Sequence, residues 1–249
     1  MHRIEILGCP MDVAAMEETV DKIRESIVAD AFTQHVVVNV AKLVHMRKDA
    51  QLRESVSACD IINIDGMGVV LGARLLGHFV PERVAGVDLF HELLAMGARE
   101  NFPVFLLGAT EDVVIATVSK AQAMYPSLKI AGYHHGYFWD DEAGMVERIR
   151  QSRAKLLFVA ISSPKKENFI NRWRDQLGVN FVMGVGGTFD VVAGKVTRAP
   201  RWMQKSGLEW LYRVIQEPRR MWKRYLTTNL AFAGLLAKAK WRQMSGRVA

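Results

Sequence analysis

Two polar residues of this sequence directly follow short apolar runs. Asp65 comes after residues 61–64, and Asn39 comes after residues 35–38. A carboxylate at a partly apolar strand end can have a raised pKa and can serve as a general base. The alternative is that Asp65 caps a helix that begins near Met67. Both interpretations follow from the residues alone.

Two glycine-containing stretches offer backbone groups for a phosphate. The first is Gly108-Ala109, and the second is the run GVGGTFD at residues 184–190. In the second, Gly186 and Gly187 let backbone N–H groups approach a phosphate closely, and Thr188 adds a hydroxyl. The run is neither a Walker loop nor a dinucleotide fingerprint. Phosphate binding and a simple turn therefore both stay open.

Arg83 lies in the stretch PERVAGVD at residues 81–88. Its guanidinium could bind a carboxylate or a phosphate in a bidentate way, or it could form an ordinary surface ion pair with Glu82. The sequence has neither an HExxH motif nor an acidic pair in a suitable loop, so we predict no bound catalytic metal and no cofactor.

The segments that must position these residues alternate between β-branched runs and stretches with helical spacing. Such alternation predicts an α/β fold, a Rossmann-like, mostly parallel sheet with helices on both faces. Ligands of such sheets bind at the carboxyl ends of the strands, where the residues above lie. The predicted strands are 35–40, 60–65, 103–107, 155–160 and 179–183, and the predicted helices are 112–125, 141–153 and 164–177.

The charge of the chain is divided unevenly. Residues 195–249 contain 13 Lys and Arg against two Asp and Glu, whereas residues 1–194 contain 20 basic and 24 acidic residues. Four of the six tryptophans also lie after residue 194. We therefore predict a mildly acidic body, 1–194, and a basic, Trp-rich helical appendage, 195–249, that meets a polyanionic partner.

The appendage is predicted to contain two helices. Ser206-Gly-Leu-Glu209 matches a capping box, and Pro218 suits the first turn of a second helix. That helix would carry one apolar stripe with arginines at its border. The stripe consists of Met221, Trp222, Tyr225, Leu226, Asn229, Leu230 and Ala233.

Three interpretations fit this basic second helix. An anionic membrane surface suits it best, because the helix is basic and amphipathic with Trp at its border. Its apolar run of 12 residues at 226–237 is too short to span a bilayer. Plain packing on the body and nucleic-acid binding are the alternatives, although the body shows no nucleic-acid-binding signature. The N-terminus lacks the apolar region of a signal peptide, so we expect a cytoplasmic protein.

The motifs together resemble those of the WecG/TagA/CpsF glycosyltransferases, glycosyltransferase family 26. The longest match is GVGGTFDVVAGKVTRAPRWMQKSGLEWLYRVIQEPRRMWKRYL at residues 184–226. Shorter matches precede it in the same order, so the resemblance covers nearly the whole chain. They are VNVA at 38–41, DGMG at 65–68, ERVAGVDL at 82–89, LGA at 107–109 and SPKKE at 163–167.

The resemblance implies a metal-independent, inverting enzyme. It would move a sugar from a UDP-sugar to an undecaprenyl-diphosphate-linked sugar during synthesis of surface polysaccharides. The enzyme would act as a peripheral protein on the inner face of the cell membrane, would not bind nucleic acid, and would self-associate through its body. Two alternatives are a non-catalytic UDP-binding module of the same fold that docks on membranes, and a protein that binds nucleic acid through its tail.

Residue roles follow from the same resemblance. Asp65 would be the general base, and Arg83 and Asn39 would line the sugar and acceptor pocket. Gly186, Gly187, Thr188 and Asp190 would hold the nucleotide, with Gly108 and Ala109 nearby. The diphosphate would be neutralised by arginines of the appendage, namely Arg213, Arg220 and Arg224.

Two positions depart from the family pattern. Lys166, in the pair Lys166-Glu167 of the sugar pocket, stands where the family commonly has Gln. Val37 stands where the family often has Thr. The family pattern implies an N-acetylmannosamine-type donor, whereas these two departures favour a different donor, glucose or an acidic sugar that Lys166 could pair with.

Overall fold

The structure is a computed structural model that describes residues 1–245, without the side chains of Lys205 and Arg220. These residues form eight strands that join in one sheet. The strands are β1 His2–Ile6, β2 Cys9–Val13, β3 Thr33–Val38, β4 Ile61–Ile64, β5 Val104–Gly108, β6 Ile130–His134, β7 Leu156–Ala160 and β8 Phe181–Gly184.

Twelve α-helices connect and follow the strands within the described residues. They are α1 Met16–Val28, α2 Val40–Met46, α3 Ala50–Ser57, α4 Met67–Leu75, α5 Gly86–Glu100, α6 Glu111–Met124, α7 Glu142–Gln151, α8 Lys165–Trp173, α9 Thr188–Val192, α10 Arg201–Lys205, α11 Glu209–Gln216 and α12 Pro218–Met244. A short 3-10 helix, Trp139–Asp141, precedes α7.

The strand order in the sheet is β1-β2-β4-β3-β8-β7-β5-β6. β1 pairs with β2 in antiparallel fashion, and every other pairing in the sheet is parallel. The strands β3, β4, β5, β7 and β8 are almost entirely buried, because helices cover both of their faces. The predicted α/β architecture is thus confirmed.

Helices from different parts of the chain cover the two faces of the sheet. Apolar residues of α1, α5, α6 and α9 pack on one face, and those of α2, α3, α4, α7 and α8 pack on the other. The helices that follow the neighbouring strands β3 and β8, which are α2 and α9, therefore leave toward opposite faces. Such a divergence opens a crevice at the carboxyl ends of these strands.

The predicted strands and helices are confirmed, with ends that shift by up to four residues. The strand predicted to run to Val40 ends at Val38, because the side chain of Asn39 caps α2 by accepting the N–H of Lys42 at 3.0 Å. The sequence interpretation did not include the hairpin of β1 and β2, or β6 as a complete strand.

The segment after α9 forms α10, α11 and α12, and α12 packs against α2 and α4. α12 is a helix of 27 residues that begins at Pro218, as predicted. Its C-terminal half packs against α4 so closely that a Cβ on Gly72 would lie 2.9 Å from the ring of Phe232. The absence of a side chain at Gly72 therefore allows α12 to lie directly on α4.

Candidate active site

Asp65 lies at the carboxyl end of β4, where its N–H donates to the carbonyl of Val38 at 2.9 Å. The residue that caps α4 is Gly66, whose φ of 99° suits glycine, and no side chain supplies a cap there. The interpretation of Asp65 as a helix cap is therefore wrong. Its carboxylate is partly buried in the crevice and, because it caps no helix, is available to a ligand.

The environment of Asp65 favours a protonatable carboxylate. Burial raises its pKa to about 6, and the negative charge of Glu209 acts in the same direction. The positive charges of Arg83, Lys42 and Arg213 act against that increase. A carboxylate with a pKa near the pH of the cell can take a proton from a hydroxyl and can release it again.

Arg83 lies next to this carboxylate because its loop is bound to β4. The N–H of Val84 donates to the carbonyl of Ile64 at 2.9 Å. The surface ion pair with Glu82 is not formed, since Glu82 instead accepts the N–H of Met16 at 2.5 Å. Arg83 donates to Glu209 of α11 at 2.8 Å, and only 15% of its side chain is exposed.

The appendage contributes charged and aromatic groups to the same site. Arg213 on α11 is close enough to Asp65 and to Tyr225 of α12 to lower the pKa of each. Burial raises the pKa of Tyr225, whose ring lies 5.9 Å from that of Trp210. Arg224, also on α12, is exposed. The predicted role of Arg220 falls on a side chain outside the described part of the chain.

A second charged cluster lies deeper, between α2 and α8. Nζ of Lys42 and Nζ of Lys166 approach the same Oε1 of Glu167, at 2.8 and 2.7 Å, and all three side chains are buried. Burial and the neighbouring Lys42 lower the pKa of Lys166 to about 8. Burial alone would raise the pKa of Glu167, but the two ammonium groups lower it to about 2.

The two lysines meet Glu167 without hydrogen-bond geometry. Oε2 of Glu167 is buried and has no hydrogen-bond partner among the described residues. The methylene groups of Lys166 lie against Gly184, where a Cβ would come within 2.8 Å of Cε. Lys166 and Glu167 are thus neighbours of the crevice, and their contact with a sugar stays a prediction.

Asn39 is close to Asp65 in space. A Cβ on Gly66, the residue after Asp65, would lie 4.0 Å from Cβ of Asn39. The structure therefore brings together Asp65, Asn39 and Arg83, which the sequence analysis placed in one pocket. The amide oxygen of Asn39 is used to cap α2, so its NH₂ group is the part left for a ligand.

The two glycine-containing stretches end β5 and β8 at the same edge of the sheet. Gly108 has a φ of 127°, and a Cβ there would lie 2.4 Å from the carbonyl oxygen of Ala160. Ala109 also has a positive φ of 56°, and its N–H donates to the same carbonyl at 2.9 Å. The conformation of this turn therefore depends on glycine at position 108.

In the second stretch, Gly186 has a φ of 54° and open space around it. Gly187 is exposed and Asp190 is partly exposed. The hydroxyl of Thr188 is buried and donates to the carbonyl of Val185 at 2.8 Å. Since this hydroxyl stabilises the loop itself, a phosphate would be met by backbone N–H groups.

Glu209 is the site residue that sequence reasoning missed. The capping box predicted for Ser206 and Glu209 is wrong, because Ser206 donates to the carbonyl of Trp202 at 2.8 Å and no side chain caps α11. Glu209 instead binds Arg83. No local spacing could reveal this partner, which comes from a distant part of the chain.

Within residues 1–245, no three His, Cys, Asp or Glu side chains are grouped closely enough to hold a metal ion. Independence from metal stays a prediction. No helix among the described residues combines the length and hydropathy needed to cross a bilayer.

A Rossmann-like sheet with a partly buried carboxylate and arginines near its carboxyl edge is typical of group-transferring enzymes. Comparison with known proteins gives the family. The family model described as Glycosyl transferase WecG/TagA/CpsF family matches residues 4–246. The chain therefore belongs to the WecG/TagA/CpsF family, and it is a glycosyltransferase.

Two curated relatives are similar to most of the chain. The N-acetylglucosaminyldiphosphoundecaprenol N-acetyl-beta-D-mannosaminyltransferase of Bacillus subtilis (strain 168) is 40% identical over 180 residues, which are 72% of this chain and 70% of the relative. The protein of the same name from Bacillus spizizenii (strain ATCC 23059 / NRRL B-14472 / W23) is 37% identical over 171 residues, 69% of this chain and 66% of the relative.

Proposed function

We propose that this glycosyltransferase moves a sugar from a UDP-sugar to an undecaprenyl-diphosphate-linked sugar in the synthesis of a surface polysaccharide. The observation that carries the proposal is the position of Asp65 at the carboxyl edge of the sheet, close enough to Arg83 and Arg213 for their charges to lower its pKa. The names of both relatives describe a sugar acceptor on diphosphoundecaprenol, which supports the same class of acceptor here.

In the proposed reaction Asp65 accepts the proton of the acceptor hydroxyl. The hydroxyl oxygen attacks the anomeric carbon of the donor sugar while the bond from that carbon to the UDP oxygen breaks. Because attack and departure take place on opposite sides of the carbon, the product has inverted configuration. UDP leaves with the bonding electron pair, and arginines can stabilise its negative charge without a metal.

The arginines of the appendage are candidates for stabilising the negative charge of the departing UDP. Arg213 lies near Asp65, and Arg224 lies near Tyr225 and Lys166. Arg220 is proposed for the same role from the family pattern. We further propose that the glycine-containing turns at 108–109 and 186–187, together with Thr188 and Asp190, hold the nucleotide.

For the donor, the relatives favour an N-acetylmannosamine-type sugar. The charge of Lys166, which would have favoured an acidic sugar, is directed at Glu167 at 2.7 Å, and 7% of the side chain is exposed. A panel of UDP-sugars tested on the wild type and on Lys166→Gln decides whether Lys166 selects the donor sugar. If Lys166 selects the donor, the ranking of donors changes in the variant.

We propose that one face of α12 meets an anionic membrane on the cytoplasmic side. This face exposes apolar side chains at every third or fourth position for the whole length of the helix. They are Trp222, Leu226, Leu230, Ala233, Ala237, Trp241 and Met244. Arg219, Lys223 and Arg224 are exposed near its start, and Lys238 and Arg242 are exposed near its end. This pattern is typical of helices that lie in the interface of anionic membranes.

The decisive experiment measures UDP release from a panel of UDP-sugars, with and without a short-chain polyprenyl-diphosphate-linked sugar. We expect acceptor-dependent release from the wild type in the presence of EDTA, and a loss of about 10²–10⁴-fold in Asp65→Asn. The matched control is Asp21→Asn, which changes an exposed aspartate of α1. Release that requires no acceptor, or an Asp65→Asn enzyme as active as the control, contradicts the proposal.

A further inference from the structure

The carboxylate of Glu209 stands between two arginines from other segments of the chain. Its Oε2 accepts a hydrogen bond from Arg83 at 2.8 Å, and its Oε1 lies 3.7 Å from Nε of Arg198. The side chains of Arg83, Arg198 and Glu209 are 15%, 22% and 25% exposed. Charges this far removed from water interact more strongly than the exposed ion pairs of a protein surface.

Arg198 is itself held in place from the other side. Its two terminal nitrogens both donate to the carboxylate of Asp88 on α5, one of them at 2.7 Å. Its Nε is buried and has no hydrogen-bond partner among the described residues, although it lies nearest to Glu209. The four side chains form a continuous row, Asp88–Arg198–Glu209–Arg83, that joins α5 and the loop before it to α11.

The row of four charged side chains holds the first turn of α11 in place. Glu209 is the first residue of that helix, and Arg213 follows one turn later on the same face. Just before α11, Gly207 fits against α4 so closely that a Cβ would lie 2.8 Å from Cβ of Met67. Among the described side chains, the bond from Arg83 to Glu209 is the one hydrogen bond that joins α11 to residues 1–194.

We propose that Glu209 is a positioning residue for sugar transfer, which holds Arg83 in the pocket and keeps α11 seated so that Arg213 faces Asp65. Glu209 itself need not touch either substrate. The inference rests on the proposed function only in assigning the reaction in which Arg83 and Arg213 take part. The attachment of α11 to the body by Glu209 is independent of that reaction.

A kinetic cycle tests the positioning role with the full-length protein. The single variants Glu209→Ala and Arg213→Ala and the double variant are assayed for kcat/KM. We expect Glu209→Ala to lose about 10²-fold, since a displacement of about 1 Å near a reacting centre has that effect. If Glu209 acts through Arg213, the loss in the double variant is at least about tenfold smaller than the product of the two single losses.

Two comparisons separate positioning from general damage. Glu147→Ala removes an exposed glutamate from its pair with Arg150 and should keep full kcat/KM. Glu209→Gln keeps an oxygen that can accept from Arg83 while it removes the charge, so it should retain more activity than Glu209→Ala. It also serves as the test variant if Glu209→Ala does not fold.

The second readout is hydrogen exchange of the backbone amides of α11, which needs no substrate. Faster exchange in α11 of Glu209→Ala, with unchanged exchange in the strands of the sheet, supports the inference. Unchanged exchange in α11, or a double variant whose loss equals the product of the single losses, overturns it. If the wild type transfers no sugar, the proposed function fails while the exchange measurement still decides the role of Glu209.

Discussion

Lys42 on α2 and Glu167 on α8 form a buried ion pair, with 2.8 Å between Nζ and Oε1 and with 7% and 3% of their side chains exposed. Lys166 approaches the same oxygen at 2.7 Å. One carboxylate therefore compensates two buried ammonium groups, and it joins the helix after Asn39 to the helix after the loop at 161–164. Removal of the Glu167 carboxylate would leave the like charges of Lys42 and Lys166 together in a buried region.

The first prediction concerns stability. Glu167→Ala should lower the free energy of unfolding by about 3–5 kcal/mol, because it leaves buried charges uncompensated. Urea unfolding at pH 7 measures the loss, and Glu147→Ala, which breaks an exposed pair, should change it by less than about 1 kcal/mol. Adding Lys166→Gln to Glu167→Ala should recover part of the loss. Equal free energies of unfolding of Glu167→Ala and Glu147→Ala would contradict this account.

The second prediction concerns the pH dependence of activity. Asp65 must be deprotonated to act as a base, so kcat/KM should fall as the pH drops through about 6. Arg213 lowers the pKa of Asp65, so the acid limb of Arg213→Ala should move to higher pH. Arg150→Ala, which changes an exposed arginine, is the control. A limb that stays in place or moves to lower pH in Arg213→Ala would show that Asp65 is not the titrating base.

The third prediction compares two glycines. Gly108→Ala should lower the free energy of unfolding by more than about 1 kcal/mol, because φ is 127° and the new Cβ would lie 2.4 Å from a carbonyl oxygen. Gly234→Ala, in the middle of α12 with no atom within 4 Å, should raise it by up to about 1 kcal/mol. Denaturant midpoints of the two variants should therefore move in opposite directions. A common direction would refute the strain assigned to Gly108.

The fourth prediction concerns the exposed face of α12. Leu226→Ser and Leu230→Ser, at side chains 50% and 65% exposed, should each weaken sedimentation with anionic phospholipid vesicles by about tenfold or more. Ile115→Ser, which changes an exposed isoleucine of α6, should leave sedimentation with the vesicles unchanged. The tail would instead be a nucleic-acid-binding segment if the protein bound oligonucleotides with a steep salt dependence and ignored the vesicles.

The central strands could be predicted because parallel strands covered on both faces are continuous apolar runs. The N-terminal hairpin was missed for the opposite reason, since β1 contains Arg3 and Glu5 and is largely exposed. β6 pairs with a single neighbour, β5, and contains Gly132 and the exposed Tyr133. Both strands lack the continuous apolar run by which the central strands were predicted.

The position of a candidate site residue could be predicted where that residue follows a strand, as Asp65 and Asn39 do. The role of a residue could not be predicted where a long-range partner decides it. Glu209 matched a local capping motif, but its partner, Arg83, comes from a distant segment. The apolar stripe predicted on α12 was also wrong as one face: Met221 is buried, whereas Trp222 and Leu226 are exposed.

α12 is long enough to join two distant parts of the molecule. In its first half Tyr225 lies close enough to Asp65 for that carboxylate to raise the pKa of Tyr225, and near its far end Gln243 donates to the carbonyl of Leu76 at 3.1 Å. Its 27 residues measure about 40 Å. If its exposed face rests on a bilayer, the carboxylate of Asp65 is held at a constant height above the lipid. A sugar hydroxyl then reacts only if its own tether reaches that height, and acceptors are selected by length as well as by shape.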